Sequence, residues 1–168
     1  MRKLDYNEFK LCQLQAKLFE SSYDLSHFSS SMFIRRFMTS DYAKSFYDKS
    51  FLVVSYDLNN IIYDLNNSYQ ASKNKTLYTK NELYWIGYIY LALCFLYEIN
   101  PKKVYKLFNG LEIVKYYNIY HTFDIEEAAN RMMDNINYIN EDYTTRGVKI
   151  LRRLILEEEK ENLLKNDD

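Results

Sequence analysis

The residues able to move a proton near neutral pH are two histidines, His27 and His121, because imidazole is the side chain whose ordinary titration range lies there. His27 stands in a polar stretch next to Phe28 and reads as incidental. His121 lies in Tyr120-His121-Thr122, just ahead of Asp124. As a general base it needs a cleft and an orienting partner, for which Asp124 and Tyr120 are the neighbours in sequence. Its alternative role is to fix a bend by hydrogen bonding. One helical nuclease class carries an arginine a few residues ahead of its histidine, and the window before His121 holds Lys115 and no arginine, which argues against that chemistry. Arg35-Arg36, set between apolar neighbours, could grip a phosphate or a partner's carboxylate in the paired geometry that guanidinium favours, or form ion pairs with acidic helices of the same chain. Lys73, Lys75 and Lys80, then Lys102, Lys103 and Lys106, form modest basic patches with Tyr78 and Tyr105 interleaved. That pattern suits phosphate contact and equally suits a solvated face.

Other chemistries lack their raw material. Glycines stand only at 87, 110 and 147, too few and too scattered for a phosphate-cradling loop or a dinucleotide fingerprint. There is no His-Glu-x-x-His, and Cys12 and Cys94 are far apart in the chain, so no metal and no cofactor is expected. The opening Met1-Arg2-Lys3-Leu4-Asp5 turns polar at once, unlike a secretion signal. Both cysteines are therefore expected as reduced thiols in a cytoplasmic protein, Cys94 as a small core residue. A net charge of −1 gives no general pull toward nucleic acid or acidic membrane. The 18 tyrosines share AT-rich codons with the abundant Asn and Lys, which is one explanation for them. Exposed anchoring at a protein interface is the other.

The elements that must position these residues read as helices. One proline and three glycines in 168 residues leave little turn material for a sheet protein. Leu11, Leu14, Leu18 and Phe19 recur at helical spacing over about 5–21, ending at Ser21-Ser22. Ser29-Ser30-Ser31 offer caps for a second helix with Met32, Phe33, Ile34, Phe37 and Met38, and a short third one follows from Thr39-Ser40-Asp41 to about Tyr47. Phe51-Leu52-Val53-Val54 is the one strand-like run, but it has no hairpin partner, so a buried turn or helix end is expected. Asp57 begins a helix with Leu58, Ile61, Ile62 and Leu65, and 66–76 is the longest loop. Thr79-Lys80-Asn81-Glu82 is a capping box. Beyond it Leu83 to Tyr97 carries no charge, which predicts a central rod, about 80–98, against which the other helices pack. Its 15 uncharged residues fall short of the roughly 20 that cross a bilayer. Asn100-Pro101 caps and starts a short helix, with Asn109-Gly110 as a left-handed stop. A helix over about 111–117, a bend over 118–123 and a helix opened by Asp124 with Ala128, Met132, Met133 and Ile136 complete a core domain of residues 1–140.

Residues 141–168 form the remainder, with a helix expected over about 145–165. Its stripe of Val148, Leu151, Leu154, Ile155, Leu163 and Leu164 is helical. Arg146, Lys149, Arg152 and Arg153 crowd its first half, and Glu157, Glu158, Glu159 and Glu161 its second. That order opposes the helix dipole, which favours acids first and bases last. The segment therefore needs packing, on its own core or on a partner, to be stable.

Three stretches, Phe33-Ile34-Arg35-Arg36-Phe37-Met38, then Leu83-Tyr84-Trp85-Ile86-Gly87-Tyr88-Ile89-Tyr90, then Tyr120-His121-Thr122 with Asp124, together resemble a family of small helical bacterial antitoxins often encoded beside an ADP-ribosyltransferase-like toxin. The resemblance covers about residues 10–137, and the second stretch is its most specific part. Leu91-Ala92-Leu93 stand where the family pattern has a basic residue and aromatics, and the bend before Tyr120 lacks its proline. The resemblance implies a non-enzymatic antitoxin that neutralises a cognate toxin by direct contact. The partner-binding candidates are Arg35, Arg36, Tyr84, Trp85 and His121, with Arg152 and Arg153 on the terminal helix, since Arg, Tyr and Trp dominate binding hot spots. A homo-oligomer is compatible with this reading, a membrane is not, and nucleic acid is not expected as a partner. Two alternatives stand beside it: a small enzyme or effector of phage–host conflict using His121, and a nucleic-acid-binding regulator. The whole is expected to be an all-α bundle around the central apolar helix.

Overall fold

The computed structural model describes the backbone of residues 2–53 and 57–165 and, beyond residue 137, the side chains of Thr145, Gly147, Val148 and residues 150–156. Among the described residues the chain is all-helical: α1 (Tyr6–Leu25), α2 (Ser30–Met38), α3 (Asp41–Tyr47), a single 3-10 turn (Ser50–Leu52), α4 (Leu58–Ser68), α5 (Lys80–Tyr97), α6 (Pro101–Leu107), α7 (Ile113–Tyr120) and α8 (Ile125–Lys165). The chain divides into two units, Met1–Asn130 and Arg131–Asp168. The first contains α1 to α7 and the opening of α8. The second is the rest of α8. The sequence suggested a division near 140, with separate helices on either side of a break before Thr145. One helix instead runs through, residues 138–144 containing neither proline nor glycine to stop it.

The first unit is a bundle wrapped on α5. Leu83 and residues 85–95 of that helix are all buried, which is where a helix with no charged face has to lie. The Thr79 hydroxyl accepts from the Glu82 N–H while the Glu82 carboxylate accepts from Thr79 N–H, so the capping box forms as the sequence predicts. α1 lies antiparallel along α5 in the most extensive helix contact of the unit, with Asp24 paired to Lys80 at 2.6 Å near the start of α5. Midway, a Cβ on Gly87 would stand 2.8 Å from the Gln15 carbonyl oxygen and from Phe19. Only a glycine lets the two backbones come this close. The Gln15 side chain, 1% exposed, donates to the Gly87 carbonyl at 2.9 Å, so the polar amide is satisfied inside the core.

Aromatic rings fill the space on either side of that crossing. Phe19 meets Phe33 and Phe37 edge-on at 5.4 and 5.1 Å, tying α1 to α2. Phe37 reaches Phe46 of α3, which stacks on Phe51 at 4.1 Å. Phe51 is buried as expected, whereas Leu52 and Val53 are exposed, and Val54 lies outside the described residues. The Tyr90 ring also contacts Phe19, at 6.4 Å, and its hydroxyl donates to the Phe108 carbonyl, while the Tyr78 hydroxyl donates to the Gly110 carbonyl at 2.6 Å.

Several termini differ from the sequence reading. α1 passes through Ser21-Ser22 to Leu25, with Ser22 buried and its hydroxyl donating back to the Phe19 carbonyl within the helix. Its start carries a second capping box, Asp5 with Glu8, and the buried Glu8 carboxylate is paired with Arg2 at 2.7 Å and Lys49 at 3.1 Å. Gly110 is not left-handed, as no glycine among the described residues has a positive φ. It is small because a Cβ would stand 2.8 Å from the Ser31 carbonyl oxygen. The left-handed positions are Lys49 and Glu98, with φ of 64° and 53°. Among the described residues no single helix is long and apolar enough to cross a membrane. α5 and α6 reach that length only together, bent by 111° at the break between them.

Gly87→Ala is expected to lower the unfolding free energy by about 3 kcal/mol, the overpacking penalty exceeding the gain in helix propensity. Gly147, which has open space around it, should accept alanine with a gain of about 1 kcal/mol in local helix stability. Urea denaturation of the first variant and the helical dichroism of the second check the pair. Burial also pushes the hydroxyls of Tyr78, Tyr88, Tyr90 and Tyr116 and the thiols of Cys12 and Cys94 above their ordinary values of 10.0 and 9.0. These groups favour folding at any pH below the ordinary values. As the pH rises further the unfolded chain loses protons that the native chain retains, so stability falls. The loss should begin above pH about 9 and steepen past about 10, by about 1.4 kcal/mol per pH unit for each proton held only by the native chain. Denaturant midpoints measured from neutral to alkaline pH test this sign.

Candidate functional site

α1, α5 and α7 meet at the surface in a recess of about 410 Å³ lined by Glu20, Asn81, Tyr84, Trp85, Tyr117 and His121. Each contributor follows from local helix geometry. Asn81, Tyr84 and Trp85 sit in the first turns of α5, where three- and four-residue steps stack side chains on one face. Glu20 is brought over them by the antiparallel run of α1. Tyr117 and His121 are four residues apart, one in the last turn of α7 and the other its C-cap.

The aromatic groups form a connected stack. The Trp85 and Tyr117 rings meet edge to face at 5.8 Å and 75°, and Tyr117 stacks on the His121 ring at 4.5 Å and 23°. Trp85 is only 8% exposed, so it is the floor of the recess and not a protruding anchor. Its indole N–H is enclosed and makes no hydrogen bond among the described residues, which leaves the ring to act through its apolar faces. Tyr84 and Tyr117 are half-buried, and His121 and Asn81 are exposed at the rim.

His121 Nδ1 lies 2.8 Å from the Tyr117 carbonyl oxygen. A carbonyl only accepts, so the proton is assigned to Nδ1, and in the neutral ring Nε2 is left as an acceptor. The imidazole is thus held by a backbone carbonyl below and a tyrosine ring beside it. Asp124, the orienting carboxylate suggested by sequence, is engaged elsewhere: its Oδ1 accepts from the Glu126 N–H at 2.9 Å at the start of α8. The carboxylate that shares the recess with His121 is Glu20.

Of the seven candidates from sequence, the recess unites Tyr84, Trp85 and His121. Arg35 and Arg36 lie outside it. Arg35 is exposed, and Arg36 sets its guanidinium 4.0 Å over the Tyr69 ring. Among the described residues neither forms the internal salt bridges considered from sequence; Arg36 makes a cation–π contact instead. Arg152 and Arg153 are exposed on the second unit. Glu20, Asn81 and Tyr117 were not singled out by sequence. The spacing of Tyr117 to His121 carried a signal, since a tyrosine one helical turn before a capping histidine meets its ring; Glu20 had none, because its place depends on the α1–α5 crossing. Among the described residues no group of His, Cys, Asp and Glu is placed to hold a metal ion.

Comparison of the chain with family models, curated proteins and solved structures finds no match.

The tautomer is open to measurement. Nitrogen-15 spectra of the neutral His121 ring should show Nδ1 as the protonated nitrogen and Nε2 as the bare one; the reverse assignment would contradict the bond to the Tyr117 carbonyl.

Proposed function

We propose that the chain is a non-enzymatic antitoxin that binds its cognate toxin through the Tyr84–Trp85–Tyr117–His121 recess. The observation that carries this reading is the convergence of three of the residues singled out by sequence on one surface recess, joined there by a second tyrosine and a carboxylate. Two half-buried tyrosines over an apolar tryptophan floor offer large contact area with polar tips, the composition that dominates interface hot spots. His121 Nε2 adds an acceptor and Glu20 a negative charge, so the recess suits a protruding basic or hydrogen-bond-donating side chain of the partner. The resemblance to antitoxins encoded beside ADP-ribosyltransferase-like toxins supplies the class of partner. A toxin acting in the cytoplasm would place this chain there too.

A second reading keeps His121 as a general base, favoured by one observation: His121 and Glu20 line the same recess. The two readings separate on substitution. For a binding surface, Tyr84→Ala and Tyr117→Ala should each weaken toxin binding by about 2 kcal/mol, roughly 30-fold in dissociation constant. His121→Gln, which retains hydrogen-bonding capacity, should have little effect. For an enzyme, His121→Gln abolishes turnover. Arg35→Ala, outside the recess, is the control and should bind as the parent does. Titration calorimetry with the product of the adjacent gene, together with rescue of growth on co-expression, reads these outcomes. Continued toxicity without co-purification of the two proteins would eliminate the antitoxin reading.

A further inference from the structure

We infer that the group the α1–α5–α7 recess takes from its partner is an arginine guanidinium, seated against the aromatic rings and paired with Glu20. The inference deepens the antitoxin reading and rests on it for the identity of the partner. Glu20 is half-buried, and among the described residues its carboxylate has neither an ion pair nor a hydrogen bond. A charge drawn partly out of water without a compensating partner is costly, so this site gains most from a cation that arrives with the ligand. The chain supplies none of its own there. No Lys or Arg is among the residues that line the recess, and Lys80, in the first turn of α5, is committed to Asp24 at 2.6 Å and lies over the Tyr23 ring.

Charge selects a cation. The start of α5, which contributes Asn81, carries about half a positive charge, and the end of α7, which contributes Tyr117 and His121, about half a negative one. These offset each other and leave the full negative charge of Glu20. The rings then select which cation. Trp85 is a floor only 8% exposed, and Tyr84, half-buried, is stacked on no other ring among the described residues. A guanidinium is planar and weakly hydrated, so it can lie on a ring while its N–H edge stays directed at a carboxylate. An ammonium holds its water more tightly and has no plane to match. With Nδ1 bound to the Tyr117 carbonyl, the neutral His121 ring can only accept at its other nitrogen, which again suits a group that carries donors alone. The chain already seats one guanidinium in this manner, Arg36 at 4.0 Å over the Tyr69 ring.

The test titrates the full chain with N-acetyl-arginine amide at constant ionic strength, and the fluorescence of Trp85, the one tryptophan of the sequence, reports occupancy. Saturation is expected with a dissociation constant of about 1–10 mM. The lysine analogue should bind at least about fivefold more weakly, and the citrulline analogue, which keeps the plane and loses the charge, should not saturate. Glu20→Gln and Tyr84→Ala should each weaken the arginine probe about tenfold with helical dichroism unchanged; Tyr84→Leu replaces the second variant if alanine costs the fold. No saturation below about 100 mM overturns the inference, as does equal binding of the lysine or citrulline analogue, or indifference to Glu20→Gln. Failure here is separable from failure of the antitoxin reading. A toxin that binds at the recess, yet is neither displaced by the arginine probe nor weakened by Glu20→Gln, removes the guanidinium and leaves the antitoxin. An arginine probe that binds with this profile to a chain no toxin recognises does the reverse.

Discussion

The distance between α1 and α5 at Gly87 governs the first unit. With a hydrogen in place of a side chain at that position, the Gln15 carbonyl and the Phe19 ring approach the α5 backbone more closely than any Cβ would allow. The Gln15 amide then spans the gap to the Gly87 carbonyl. Such a contact is held by sterics and by one enclosed polar bond together, and it fixes both the separation and the axial register of the two helices. Phe19, Phe33 and Phe37 can interlock only because that register is set. Glu20, one residue further along α1, arrives over Tyr84 and Trp85 for the same reason.

The tyrosines have a role that composition did not suggest. Codon bias and exposed anchoring were the two explanations available from sequence, yet Tyr90 and Tyr78 direct their hydroxyls inward onto the carbonyls of Phe108 and Gly110. Those carbonyls lie between α6 and α7, where a short connection leaves backbone acceptors without helical donors. A tyrosine satisfies such an acceptor while its ring remains in the apolar interior. Tyr78 and Tyr90 thus serve a connection between short helices whose carbonyls fall inside the bundle. Only at the recess do two of these rings, Tyr84 and Tyr117, reach the surface together with His121.

How much was legible follows from whether the signal was local. Caps are local, so Thr79 with Glu82, Asp57, and Asn100 with Pro101 marked their helices correctly. The uncharged stretch after Glu82 likewise announced a buried rod. Stops were less legible: serine pairs and Asn-Gly permit a break without imposing one, and tertiary packing decided against it at Ser21-Ser22. The left-handed residues Lys49 and Glu98 carried no mark at all, since neither is a glycine or asparagine. For the recess, aromatic and histidine content pointed to Tyr84, Trp85 and His121, while the grouping itself depends on three helices meeting. Arg35 and Arg36 show the converse, a conspicuous pair in sequence that the fold places away from the recess, one of them lying on Tyr69.

The bond from Gln15 to Gly87 joins residues 72 positions apart, and this has a bearing on biosynthesis. A ribosome releases the apolar side of α1 well before it has made the helix that covers it. Until then the nascent segment presents Leu11, Leu18 and Phe19 to whatever chaperones capture exposed apolar surface. Closing so long a loop is slow compared with winding either helix, so the crossing that makes the mature bundle rigid also makes its first seconds of life the most vulnerable.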